Sequence, residues 1–312
     1  MSPAQGEGDA AWPLVYFSIL NWNQKDMTCE CLASLAGLDY PCYQIVVVDN
    51  GSEGDEASAI RAQFPSVTVL ENEANLGFAE GNNVAVRHAL EQGADYVFLL
   101  NNDTVVEPQM LRQLIKVAES DDRIGIVGPK IYYWDEPETI WSAGGILQSR
   151  ARPIMRGLDE PDKGQYDQLA EVDWITGCAL LIKSSAIRQI GLIDARYFIY
   201  YEESDWCYRV QRAGYKLFYV PQARMWHKIQ PGRQSYSPRH VYLMTRNRLL
   251  FLRNTGAGPL TILYTILVEN LRTVAAWSLW KRHRERRPLR KAMLRGVWDF
   301  FRGKFGEPVG GF

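Results

Sequence analysis

The chain has 312 residues, 46% apolar and 23% charged, which is ordinary for a soluble globular protein and enough for one large core or two smaller ones. A formal net charge of −1 points to no partner, but the charge is unevenly placed: ten Lys/Arg against three Asp/Glu lie from Lys281 onward, about +7, leaving about −8 on the rest. The five cysteines (Cys29, Cys31, Cys42, Cys178 and Cys207) are odd in number with no Cys-x-x-Cys pair, which argues against a disulfide framework or a zinc knuckle and for reduced thiols in a cytosolic protein.

Residues 1–11 are small, polar and acidic, without the basic and apolar regions of a signal peptide; residues 1–12 are expected to be disordered. Residues 14–20, "LVYFSIL", form a short β-rich apolar run broken by "NWNQKD". Helical spacing over 27–38 leads to a second strand, 44–48, stopped by Asp49-Asn50-Gly51-Ser52. A helix over 56–64, a strand over 67–70, a helix over 81–92 and a strand over 96–100 follow. Strands alternating with helices predict parallel βαβ units in a doubly wound α/β sheet. Ligands of such sheets bind beyond the carboxyl ends of the strands, and three strands here end in polar residues: Asn21-Trp22-Asn23, Asp49-Asn50 and Asn101-Asn102-Asp103. Beyond a helix over 109–119 the alternation gives way to Gly- and aromatic-rich segments. "VDWITGCALLI" (172–182) reads as a loop entering a strand, and 184–190 as a short helix closed by Gly191. No run of 18 uncharged apolar residues exists, so a spanning helix is not expected.

Several of these positions carry chemistry on one reading and only structure on another. Asn101-Asn102-Asp103 is a turn, or a turn that presents oxygen ligands to Mg²⁺ or Mn²⁺. Asp49 is part of an Asp-Asn-Gly turn, or accepts a hydrogen bond from a nucleobase imide N–H. "NLGFAEGNN" (75–83) reads as a loop capping the next helix, or one whose glycines admit a phosphate or sugar; it is neither Gly-x-Gly-x-x-Gly nor a P-loop. In "YYEESDWCYRVQRAGY", Asp205 and Arg209 are spaced to pair on a helix. Glu202 and Glu203 fall at its start, where the dipole favours a carboxylate, and one of them is a candidate general base. His227 is a surface or core residue, or a neutral ligand to the metal. Residues 260–280 are apolar with polar interruptions and 281–304 are basic with inserted aromatics, the composition of a helix lying in a membrane interface or packed on the body of the protein.

The order of "SILNWNQ", "VVVDNGS", "NLGFAEGNN", "LLNNDT", "WITGCALLI", "YYEESDWCYRVQRAGY" and "MWH" resembles the inverting family 2 glycosyltransferases, most closely the rhamnosyltransferase-type branch. "RNRLLFLR" and "GVWDFFRGKFG" resemble that branch's C-terminal extension. The resemblance covers 14–227. It implies a GT-A catalytic domain over 13–230, with a nucleotide-sugar half (13–107) and an acceptor half (108–230), followed by a helical, basic extension (231–312). It places Asn21 and Asp49 by the nucleotide base, and Asn75, Gly77, Phe78 and Asn82 around nucleotide and sugar. Asn101 and Asn102 face the donor, Asp103 and His227 ligate Mg²⁺ or Mn²⁺, and Trp174, Thr176 and Gly177 border the acceptor. Glu202-Glu203 stands where the family has a Glu-Asp pair, so the base lies between the two. The implied reaction moves a sugar, first rhamnose, from a nucleoside diphosphate to a glycan or lipid-linked glycan at the cytoplasmic membrane face, in cell-envelope polysaccharide synthesis. A second copy of the chain stays open as a partner. A sugar nucleotidyltransferase lacks support because "NWNQKD" replaces its Gly/Arg/Lys loop. A non-catalytic sugar-nucleotide scaffold is disfavoured by the retained carboxylates, and a nucleic-acid partner by the absence of a readout module.

Overall fold

The computed structural model describes residues 12–150, 152–230, 237–308 and 310. The disorder expected of 1–11 lies outside them. Trp12, expected with that segment, is instead packed: its ring meets Tyr40 edge-on at 5.2 Å, with the Arg112 guanidinium 4.6 Å above it.

The first half builds as its pattern dictates. Strands β1 (Val15–Asn21), β2 (Tyr43–Asp49), β3 (Thr68–Glu71) and β4 (Tyr96–Leu100) alternate with helices α1 (Lys25–Leu35), α2 (Glu56–Gln63) and α3 (Gly77–Glu91). They pair in parallel in the order β3-β2-β1-β4. Period-2 alternation divides their side chains between two cores. Val15, Phe17, Ile19, Tyr96, Phe98 and Leu100 enter one, and Tyr16, Val97 and Leu99 the other.

The second half is mixed rather than doubly wound. After β5 (Thr104–Val106) and α4 (Met110–Ala118) come β6 (Ile124–Tyr133), β7 (Thr139–Ser142), β8 (Gly145–Gln148), β9 (Arg152–Met155), β10 (Glu160–Pro161), β11 (Ala170–Glu171) and β12 (Ala179–Lys183). Helices α5 (Ser184–Ile190) and α6 (Glu202–Arg212) then lead to β13 (Lys216–His227). β12 enters antiparallel to both β4 and β6, while β13 runs parallel to β6 and antiparallel to β5. The short links between β6 and β10 leave no room for helical crossovers, which parallel neighbours require.

The largest difference from the expected elements is at α3. "NLGFAEGNN" was expected to be loop up to Gly81, yet the helix starts at Gly77. Gly77 turns the chain at φ +79°, and a Cβ there would stand 2.6 Å from Phe198. The asparagines that suggest a loop spend their amides on neighbours instead. Asn82 accepts from the Ser18 hydroxyl at 2.8 Å, and Asn83 exchanges two bonds with the Ile193 backbone.

Beyond the sheet, α7 (Pro238–Asn254) is capped by the Ser237 hydroxyl, which accepts from the His240 N–H. A helical run over α8 (Pro259–Tyr264), a widened turn (Thr265–Asn270) and α9 (Leu271–Leu279) leads to α10 (Leu289–Phe301). α10 packs on α7 at Gly296, where a Cβ would meet the Tyr242 carbonyl at 2.8 Å. Among the described residues no helix is long and apolar enough to cross a membrane. All five cysteines are unpaired.

Candidate active site

Because β1, β2 and β4 are parallel neighbours, their polar ends arrive at one edge, with Asn21 beside Asp49 in register. A cavity of about 380 Å³ opens there. Of the residues expected at the donor, Asn75, Gly77, Phe78, Asn82, Asn101, Asn102 and Asp103 line it. Asn21 and Asp49 sit behind it. The Asn21 amide donates to Asp49 and to Glu56, both at 2.8 Å, and its oxygen accepts from Thr28. Asn21 therefore orients the Asp49 carboxylate, whose other oxygen accepts the Ser52 N–H. Asn50, quoted only as part of a strand end, is the hub of the adjoining loop. It donates to the Asn75 side chain and the Gly77 carbonyl and accepts from Asn72 and the Leu76 N–H.

Asp103 leaves the turn after β4, and His227 ends β13. The antiparallel β5–β13 pair joins them, setting His227 opposite Thr104. Asp103 Oδ1 and His227 Nε2 stand 3.0 Å apart, with side chains 23% and 6% exposed. His227 Nδ1 is buried without a hydrogen-bond partner, and the ring is steadied by Trp141 at 4.5 Å. The Asp103–His227 contact is a hydrogen bond; two ligands in adjacent positions of an octahedral ion at about 2.1 Å would also be about 3.0 Å apart, so the same two atoms are spaced to hold Mg²⁺ or Mn²⁺ in its place. Among the described residues no third His, Cys, Asp or Glu completes a ligand set. Substrate phosphates and water would supply the other positions, as is usual for these ions.

Glu202 and Glu203 open α6 but do not line the cavity. Glu202 is buried, with Oε2 unpartnered. Burial, then the charge of Glu203, hold its carboxyl well above the usual range. Burial also raises Glu203, opposed by hydrogen bonds from its own backbone, from the Ser204 hydroxyl and from the Ser204 backbone. Glu203 is the half-buried one of the two, and it approaches the cavity wall: a Cβ on Gly177 would lie 3.5 Å from its Cβ and 3.1 Å from the Phe78 ring. Of the expected acceptor residues, Gly177 thus touches both sides, while Trp174 and Thr176 are turned inward, the indole donating to the Ile146 carbonyl at 3.3 Å. Asp205 is structural, held by Arg209, Tyr197 and Asn254.

Sequence reasoning missed the residues that carry α6. Phe198, Tyr200 and Tyr201 all have positive φ, at +66°, +74° and +73°, a region that costs a non-glycine residue about 1–2 kcal/mol. Two side chains of α7, both wholly buried, hold this segment. The Asn247 amide donates to the carbonyls of Tyr197, Ile199 and Tyr200 at 2.8–2.9 Å. Arg246 donates to the Asn247 side-chain oxygen at 3.0 Å and to the Tyr197 carbonyl at 3.2 Å. The Phe198 carbonyl in turn accepts the Ala79 N–H, so one strained segment positions the starts of both α3 and α6. The signal was an Arg-Asn pair inside the apolar run "VYLMTRNRLLFL". The first turn of the same helix brings Arg239 and His240 to the cavity.

The fold and the site together define a glycosyltransferase of the GT-A fold. A mannosyltransferase from Pyrobaculum calidifontis, solved in complex with GDP-Man and Mn²⁺, shares the fold at TM-score 0.61 and 16% identity, over 95% of this chain and 89% of its own. The chain belongs to glycosyl transferase family 2, whose model matches residues 18–188. It is 26% identical over 247 residues to an N-acetylglucosaminyl-diphospho-decaprenol L-rhamnosyltransferase of Mycobacterium tuberculosis, spanning 73% of this chain and 80% of the relative. It is 25% identical over 234 residues to rhamnosyltransferase WbbL of Escherichia coli, spanning 72% and 86%.

Proposed function

We propose that this glycosyltransferase is metal-dependent and inverting, and that it moves rhamnose from a nucleoside diphosphate onto a hydroxyl of a lipid-linked glycan. The observation that carries the reading is the Asp103–His227 pair at 3.0 Å beside the donor cavity. These two side chains would hold Mg²⁺ or Mn²⁺, which when bound supplies charge neutralisation of the diphosphate leaving group. Asn75, Gly77 and Asn82 shape the wall against which nucleotide and sugar lie, and the Asp49 carboxylate, fixed by Asn21, stands behind that wall. Arg239 adds a cation at the cavity. Glu203 takes the proton of the acceptor hydroxyl as its oxygen attacks the anomeric carbon on the face opposite the departing diphosphate. One base acting in one displacement inverts the anomeric centre. Glu202 lies deeper beside it, its carboxyl raised by burial and by the charge of Glu203.

Rhamnose is proposed because both relatives are named rhamnosyltransferases, and a lipid-linked diphosphate acceptor because the mycobacterial relative's name includes diphospho-decaprenol. With that acceptor, the proposed place of work is the cytoplasmic face of the membrane, on envelope polysaccharide. A thermal-shift screen of nucleoside-diphosphate sugars with and without Mn²⁺ tests the donor side, since only a ligand of the native state raises the melting temperature. Deoxythymidine-diphosphate rhamnose with Mn²⁺ is expected to give the largest rise. A larger rise with another sugar nucleotide would replace the donor, and no rise with any would overturn the reading.

A further inference from the structure

The C-terminal helices carry an apolar stripe that this chain does not cover. From α8 through α9, Leu260, Leu263, Leu267 and Leu271 recur one turn apart, and Leu279 follows two turns on. They are 79%, 49%, 51%, 40% and 77% exposed. On an amphipathic helix that docks against its own protein this face would be the buried one. Here it faces outward, and exposed apolar area of this extent marks a contact.

Next to the stripe lies a cavity of about 710 Å³ between the start of α7 and α10. Arg287, Arg290, Lys291 and Arg295 line it, with no carboxylate among its lining residues. It joins the end of the stripe directly. Arg290 donates to the Ser278 hydroxyl at 2.9 Å and Arg287 to the Ser278 carbonyl at 3.4 Å, and Leu279 is the next residue. Burial leaves Arg287 Nε without a partner.

We infer that stripe and cavity together dock on an anionic lipid surface, the leucines entering the acyl boundary and the cavity taking a phosphate headgroup. Charge complementarity selects this occupant. Packing of two stripes alone would leave the cations of the cavity without an anion, and a nucleic acid would leave the leucines in water. A bilayer bearing phosphate headgroups satisfies both halves. The placement also deepens the acceptor half of the reading above, and rests on it for its purpose. Pro238 lines the basic cavity while Ser237 and Arg239 line the donor cavity, so one turn of α7 separates the membrane-facing opening from the donor.

Co-sedimentation of the full chain with phosphatidylglycerol and with phosphatidylcholine vesicles, without sugar nucleotide, tests this. Binding is expected only to phosphatidylglycerol and to weaken with salt. Lys291→Glu removes one cation and adds an anion, and is expected to weaken binding by at least fivefold. Leu267→Glu is expected to weaken it at least tenfold. Both sites are exposed, so each variant should keep the wild-type melting temperature and donor-induced shift. Equal binding to both lipids, or wild-type binding by both variants, overturns the inference. So does a dimer in solution that Leu267→Glu dissociates, which would make a second copy the occupant. Because the donor shift is read separately, failure here leaves the donor reading standing, and the reverse holds.

Discussion

At the scale of single residues, the two glutamates differ in environment rather than in chemistry. Glu203, half-buried beside the cavity wall at the start of α6, is the proposed base. Glu203→Gln keeps the shape and removes the base, so turnover should fall by about 10²–10⁴-fold, while Mn²⁺-dependent donor binding stays. Glu202→Gln should retain most activity; the opposite pattern in steady-state kinetics would move the base to Glu202. The pH dependence follows with its sign. Folding raises the Glu202 pKa above its usual 4.5, so the native state binds that proton more tightly than the unfolded chain. The resulting stabilisation is complete below the usual value and is lost as pH rises through the raised one. Glu202→Gln keeps the neutral form, so it should match wild type in melting temperature at low pH and exceed it above the raised pKa. Asp103→Ala removes one half of the pair with His227, and several kcal/mol of transition-state stabilisation should go with it, at least about a hundredfold in turnover. The Mn²⁺-dependent part of the donor-induced thermal shift should vanish as well. A metal-dependent shift that survives would place the ion elsewhere.

At the scale of elements, the proposed base is only as well placed as the segment before α6. Asn247 donates to the Ile199 and Tyr200 carbonyls in that strained stretch and shares the Tyr197 carbonyl with Arg246, and leaving buried carbonyls unpaired costs about 1–3 kcal/mol each. Asn247→Ala should therefore cost about 2–4 kcal/mol in chemical denaturation. In the fraction that stays folded, kcat should fall and the donor KM should rise, because the segment carries Glu203 and also lines the donor cavity and positions the start of α3. Asn247→Asp, isosteric but without N–H donors, should do no better; rescue by Asp would show that shape, not donation, holds the loop. The same elements show what was legible in the sequence. Val15–Asn21, Tyr43–Asp49 and Tyr96–Leu100 announced themselves because buried parallel strands are short apolar runs ended by polar turns. Asp103, which the structure brings to the cavity, could be singled out because the order of the motifs resembles a known family. The α7 clamp was not, because an Arg-Asn pair on a helix reads as a solvated face until burial is known. Nor was the start of α3, since Asn and Gly signal a loop unless distant partners absorb their amides.

At the scale of the whole molecule, the C-terminal helices belong to the catalytic body. Tyr197 and Tyr201, just before α6, share a core with Leu250 and Phe251 of α7, and Leu249 and Leu252 on α7 share one with Phe300 of α10. Packed side chains therefore link α10 through α7 to Tyr201, the residue before α6. Rigid packing of this kind transmits displacement, because interiors are close-packed and cannot absorb it. Gly296 is the contact that sets the α7–α10 distance, since a Cβ there meets the Tyr242 carbonyl at 2.8 Å and the Thr245 side chain at 3.1 Å. Gly296→Val adds a branched side chain at that contact, and overpacking of this sort costs about 1–3 kcal/mol. The variant should melt lower than wild type. Its tryptophan fluorescence and far-ultraviolet circular dichroism should still unfold in one coincident transition, because helices and sheet form one cooperative unit. Turnover should drop although the substitution lies outside the cavity lining. An early transition confined to the helices, with activity unchanged until the sheet unfolds, would instead mean that the extension is an independent domain.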